Sequence, residues 1–174
     1  MRIAEVRRQL LNDWLIAPDI PATEYDSHTL WTSPEGFKVV IKYPSRKALP
    51  NNFYLMSPNK KLVASFTIDE WFLDNKTFWI MDRVHTEPSF RGKYYMLNLV
   101  TIVFKYLKGK VSKVYVNGKN DHLNLYKKVG FVPVKMNDQL DRLVRHHILH
   151  MLYPNPKTAR QDYTFMVKNL GGKQ

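Results

Sequence analysis

Apolar residues change their period partway along the chain. Ile3, Val6, Leu10 and Trp14 recur at helical spacing and Pro18 and Pro21 bar continuation, so the pattern predicts an amphipathic helix over 2–16. Runs rich in β-branched and aromatic residues follow at 28–32, 37–43, 61–69 and 78–86, set apart by Pro, Gly and Asn, with a shorter piece at 53–56. Short connections between such runs predict an antiparallel meander. After Pro88 the spacing lengthens: Met96, Leu99, Val100, Val103, Phe104 and Leu107 fall on one face of a helix that Gly109 ends. A strand is predicted over 111–116, a short helix capped by Asn120 or Asp121, a left-handed stop at Gly130, and a strand over 131–136. A helix over 138–152 carries the stripe Leu140, Leu143, Val144, Ile148 and Met151, and 163–168 reads as a closing strand. Strands alternating with helices in this second half imply a crossover with parallel strands, so the class is α/β (α+β) with a mixed sheet.

With 44% hydrophobic and 13% aromatic residues in 174, the chain suits a single domain over 1–174 with one sizeable core. Nothing in it has the composition of a linker, a repeat or a disordered tract. The absence of cysteine removes disulfides, thiolate nucleophiles and cysteine metal sites together, and fits a reducing compartment. The N-terminal segment lacks the h-region of a signal peptide, and the apolar run 96–104 is too short to span a bilayer, so a cytoplasmic protein with no membrane partner is expected.

Charge is unevenly placed. Residues 1–76 hold 10 Lys/Arg against 9 Asp/Glu, whereas residues 77–174 hold 17 against 6, which is +1 against +11. The second half therefore either faces something anionic, such as a polyphosphate cofactor, a nucleic acid or an acidic protein, or carries a solvated basic surface.

The segment from Glu87 to Met96 joins a strand to the long helix, where backbone N–H groups and the positive end of the helix dipole favour an anion, with Arg91 and Lys93 adding charge. Taken with 114–131, it resembles the signature of the GNAT superfamily of acyl-CoA-dependent N-acyltransferases. That signature runs Pro-x-x-Arg-Gly-x-Gly-x-Gly, helix, strand, Asn, short helix, Leu-Tyr, Gly-Phe. The chain supplies Pro88, Arg91, Gly92, Lys93, Asn120, Leu125, Tyr126, Gly130 and Phe131 in that order.

The resemblance implies a GNAT-like, mostly antiparallel sheet with a splayed parallel pair and flanking helices, residues 78–170 forming the cofactor half. It implies acetyl-CoA as acyl donor, with the pyrophosphate on the turn at Arg91, Gly92, Lys93, Tyr94, Tyr95 and Met96. Strand backbone at Val84 and Thr86 would hold the pantetheine arm, and Asn120 would contact the arm or a water. An amine attacks the thioester directly and Tyr126 protonates the departing thiolate. Asp82 is the candidate base, with His85 and Glu87 as alternatives. Asp82 also reads as a solvated or salt-bridged carboxylate, and Tyr126 as a packed aromatic.

Where the family has Gly, then Gly or Ala, the chain has Tyr94 and Met96, whose bulk opposes close approach of a pyrophosphate. A second reading follows from that departure: a GNAT-fold protein with reduced catalysis, serving as a basic nucleic-acid-binding or assembly protein. Tailed phages encode small basic proteins with degraded GNAT motifs. The altered turn and missing cysteine are compatible with such an origin, and hence with the host cytoplasm or a virion. No metal is expected, because His146 and His150 share a helical face but lack a third ligand, while His147 falls on the apolar stripe; Arg142 and Arg145 flank them, so the helix equally reads as a basic partner surface. The amine acceptor is not legible in the sequence.

Overall fold

A computed structural model describes residues 27–43, 51–135, 139–152, 155, 157 and 161–172. The helix expected over 2–16 lies outside them. The strands are β1 Ser27–Thr32, β2 Lys38–Lys42, β3 Asn52–Met56, β4 Leu62–Leu73, β5 Lys76–Thr86, β6 Lys113–Lys119, β7 Val132–Pro133 and β8 Tyr163–Asn169. The helices are α1 Tyr95–Leu107, α2 Leu123–Lys128 and α3 Gln139–Leu152. Strand order is β1-β2-β3-β4-β5-β6-β8-β7, mostly antiparallel with one parallel pair, β5 and β6. The mixed class expected from the sequence is the observed one. Contacts divide the chain into two compact units, and β4 and β5 contribute to both: the first unit runs to Asp69 and resumes at Met81–Leu107, the second holds Glu70–Ile80 and the chain from Lys108.

In the first unit β1 to β4 form the expected meander. Alternation sends Val39 and Ile41 of β2 and Phe53 and Leu55 of β3 inward, all essentially without exposure. Phe53 and Phe66 sit opposite each other in register and stack at 5.0 Å between ring centroids, a cross-strand pair that fixes the register. The apolar stripe of α1 buries Leu99, Val100, Val103, Phe104 and Leu107, and the Phe104 ring meets Phe66 edge-on at 6.4 Å. Each such fully buried side chain contributes about 1.5–3 kcal/mol relative to exposure.

In the second unit the Glu70–Ile80 hairpin turns at Asp74 and Asn75, both left-handed (φ 48° and 59°), which matches the twist of the strands and extends both beyond their expected ends at 69 and 78. The final strand lies antiparallel along the whole of β6, from Lys113↔Asn169 to Lys119↔Tyr163, and separates it from β7. β7 shrinks to two residues from the expected 131–136. Phe78, Ile80, Tyr115, Val144, Ile148 and Phe165 form a core under α3. There Tyr115 stacks parallel on Phe165 at 5.4 Å and its hydroxyl donates to Asp141 Oδ1 at 2.6 Å. Gly109 (φ 79°) follows α1 and Gly130 (φ 94°) follows α2, as expected. The expected side-chain cap of α2 is absent: a 3-10 turn at Asn120–His122 precedes the helix, and the Asn120 amide is used elsewhere.

Candidate functional site

Two segments carry the residues singled out by the sequence, one in each compact unit. In the first, β5 ends at Thr86 and a 3-10 turn at Pro88–Phe90 leads into α1. Arg91 is extended, and its Nε donates to the Thr86 carbonyl at 3.1 Å, fastening the guanidinium to the strand end. Gly92 and Tyr94 are both left-handed, at φ 75° and 61°. The turn thus takes a glycine-type conformation at the very position where the sequence has a tyrosine, at a cost of about 1–2 kcal/mol for the side chain's clash with its own backbone. The Asn98 N–H closes on Tyr94 O at 3.0 Å, so the amides of Tyr95, Met96 and Leu97 belong to the first turn, where helix geometry provides no acceptor.

Side chains at this turn divide sharply. Tyr94 is 41% exposed, whereas Met96 is buried, so the bulk of Met96 enters the core instead of standing over the amides. Tyr95 stacks on Phe37 at 5.2 Å and meets Phe90 edge-on at 5.8 Å; its ring anchors the turn to the β1–β2 connection. Arg91 and Lys93 are exposed, as an anion site needs.

Upstream on β5, Asp82, Val84 and Thr86 are half-buried and alternate with exposed Arg83 and His85. Arg83 is left-handed (φ 49°) inside the strand, a local break that follows Asp82 directly. The Asp82 carbonyl accepts from Thr67 Oγ1 at 3.2 Å. Sequence reasoning missed Asp69 of β4. Burial raises its carboxyl above the usual range, the neighbouring Asp82 charge raises it further, and Arg83, at 3.4 Å, pulls it back. His85 Nε2 and Glu87 Oε1 pair with each other at 3.0 Å.

In the second unit Tyr126 is 7% exposed and meets Phe131 edge-on at 5.9 Å. Its ring lies flush against Gly118 of β6: a Cβ there would stand 2.8 Å from Cδ2 and 2.9 Å from Cε2. Gly118 is needed for this close approach, and a glycine inside a strand pattern was the one sequence signal for it. Asn120 accepts from Thr164 Oγ1 at 2.8 Å and donates to Gln161 O at 2.9 Å, which ties the start of the 3-10 turn to β8. Among the described residues, one lone pair and one N–H of the amide remain. Lys168 of β8 extends its Nζ over Gly130, and burial lowers its ammonium below the usual range. Among the described residues, Trp79 Nε1 and Asn117 Nδ2 are buried without a hydrogen-bond partner. The β5–β6 ladder in this unit is confined to Trp79↔Val114 and Ile80↔Tyr115.

No protein-family model matches the chain, and no curated protein matches it. Solved structures do. N-acetylglutamate synthase from Neisseria gonorrhoeae, complexed with coenzyme A and N-acetyl-glutamate, aligns with a TM-score of 0.50 at 12% identity, over 76% of this chain and 29% of its own. A putative N-acetyltransferase from Lactobacillus plantarum aligns at 0.48 and 12% identity, over 68% of each chain. Spermidine N-acetyltransferase from Vibrio cholerae, in complex with CoA and spermine, aligns at 0.48 and 17%, over 68% of this chain and 64% of its own. The chain thus spans about two thirds of the two shorter proteins and under a third of the synthase. At these identities the likeness is one of fold: the mixed sheet, single parallel pair and flanking helices are GNAT-like in architecture.

Proposed function

We propose that this protein is an N-acyltransferase that moves an acetyl group from acetyl-CoA to an amine by direct attack. The observation that carries this reading is the turn opening α1, where two left-handed residues, Gly92 and Tyr94, lead into helix amides flanked by Arg91 and Lys93. Successive amides of this kind, at the positive end of a 13-residue helix, suit a pyrophosphate. Arg91, Gly92, Lys93, Tyr94, Tyr95 and Met96 are assigned to it, the last two through their backbone. Val84 and Thr86 are assigned to the pantetheine arm, and Asn120 to the arm or its water.

In the reaction the acceptor nitrogen attacks the thioester carbonyl, a C–N bond forms and the C–S bond breaks. The proton lost by the amine goes to Asp82, and the leaving thiolate takes one from the Tyr126 hydroxyl. The close seat of the Tyr126 ring on Gly118 supports this role, because a proton donor must be held in one place to act. Binding is tested first, by the stabilisation acetyl-CoA confers on the full chain. At 100 times its dissociation constant it should add about 2.7 kcal/mol. No stabilisation at millimolar concentration overturns the reading.

A second reading rests on charge. Lys105, Lys108, Lys110, Lys119, Lys127, Lys128 and Arg142 are exposed, more than one CoA requires. We propose that these basic residues bind an anionic macromolecule, nucleic acid or an acidic protein, whether or not acetyl transfer is retained. A phage-encoded assembly role, in host cytoplasm or virion, belongs to this reading. Among the described residues no helix is long and apolar enough to cross a membrane.

A further inference from the structure

The exposed face of α3 carries a feature that acetyl transfer does not use. α3 is fixed in rotation by Val144, Ile148 and Leu149, which are buried, and by His147, whose ring meets Trp71 edge-on at 4.9 Å. That register turns His146 and His150, four residues apart, to solvent on one face. Their ring centroids are 4.2 Å apart and their planes are tilted by 45°, so the rings converge without stacking. His28 lies 3.5 Å from the Tyr43 hydroxyl and His85 is bonded to Glu87. Among the described residues no hydrogen bond or ion pair engages the ring nitrogens of His146 or His150.

We propose that His146 and His150 form a two-imidazole chelate for a first-row divalent transition metal ion. Neutral imidazoles bind such ions at about 2.0–2.1 Å, and two rings already side by side lose little freedom on closing around one. Among the described residues no group of three or more His, Cys, Asp or Glu could hold a metal ion. With two ligands among the described residues, the pair is an exchangeable chelate whose remaining positions take water or a small anion. Affinity should follow the order Cu²⁺ above Ni²⁺ and Zn²⁺. Arg142, exposed one turn before His146, repels a bare cation and favours one that carries phosphate or a carboxylate in its open positions.

The test is the melting temperature of the full chain with nickel or zinc chloride, in a buffer that does not chelate. A metal-dependent rise is expected, reversed by EDTA and reduced at least tenfold in apparent affinity by either His146→Ala or His150→Ala, with His122→Ala unchanged. Copper bound to the parent protein should show two equivalent nitrogens in its paramagnetic resonance spectrum. Both substitutions are at exposed positions, and circular dichroism without metal checks that the helix is kept. A rise that survives both substitutions, or binding no tighter than that of a single exposed imidazole, overturns the proposal.

Discussion

Tyr94 and Gly118 make opposite use of the same physics. Tyr94 occupies a left-handed conformation that glycine adopts freely. Tyr94→Gly relieves about 1–2 kcal/mol of backbone strain and gives back about 0.5–1 kcal/mol through the freer unfolded chain. Chemical denaturation should therefore find the variant between unchanged and about 1.5 kcal/mol more stable. Gly118 lacks a side chain because the Tyr126 ring occupies its place. Gly118→Ala should cost about 1–3 kcal/mol by overpacking and, if Tyr126 is the acid, lower turnover more than it raises KM. Tyr126→Phe keeps the ring and removes the proton, so its turnover should fall with little change in stability; unchanged turnover removes Tyr126 from the mechanism. Asp69 has a carboxyl raised chiefly by burial. Its contribution is present in full below the unfolded value of 3.8 and is lost as pH rises through the folded value. Asp69→Asn should accordingly be more stable than the parent near neutral pH and converge with it in acid, as read from melting curves across that window.

At the scale of elements, a polar contact joins α3 to its strands within an apolar seam. Tyr115 is almost fully buried and its hydroxyl donates to a carboxylate on the first turn of α3. Hydrogen bonds to charged groups are worth about 1.5–3 kcal/mol, so Tyr115→Phe should destabilise the protein by that amount. Hydrogen exchange should show the loss concentrated in α3; an effect below 0.5 kcal/mol, taken as about the size of an ordinary surface change, would mean the bond is dispensable. The turn before α1 is built differently, from the rings of Phe37, Phe90 and Tyr95. Aromatic packing, with the Arg91 bond to the Thr86 carbonyl, sets where the helix amides point.

For the molecule as a whole, the charge excess of residues 77–174 makes a distinct demand. If Lys105, Lys110, Lys127 and Lys128 bind duplex DNA, affinity should fall with salt, with a slope of about −0.9 on the logarithmic plot for each phosphate neutralised. Filter binding at low and moderate salt, with charge reversal at Lys127 and Lys128, measures it. No binding at low salt leaves these basic residues to an acidic protein or to solubility.

Periodicity in the sequence determined the meander, the long helix α1, the short helix before Gly130 and the closing strand, because burial of one face repeats every two or every 3.6 residues whatever lies opposite. The order of Pro88, Arg91, Gly92, Asn120 and Tyr126 pointed to the GNAT-like architecture for the same reason: turns and helix ends carry local chemistry. Tertiary structure decided the rest. That β8 lies between β6 and β7, that Met96 turns inward while Tyr94 does not, and that Asn120 is bonded to β8 and not to its own helix are outcomes of partners distant in sequence. Asp69 became visible only beside Asp82 and Arg83, and the purpose of Gly118 only under the Tyr126 ring, because burial and close approach are properties of neighbours that no single residue encodes.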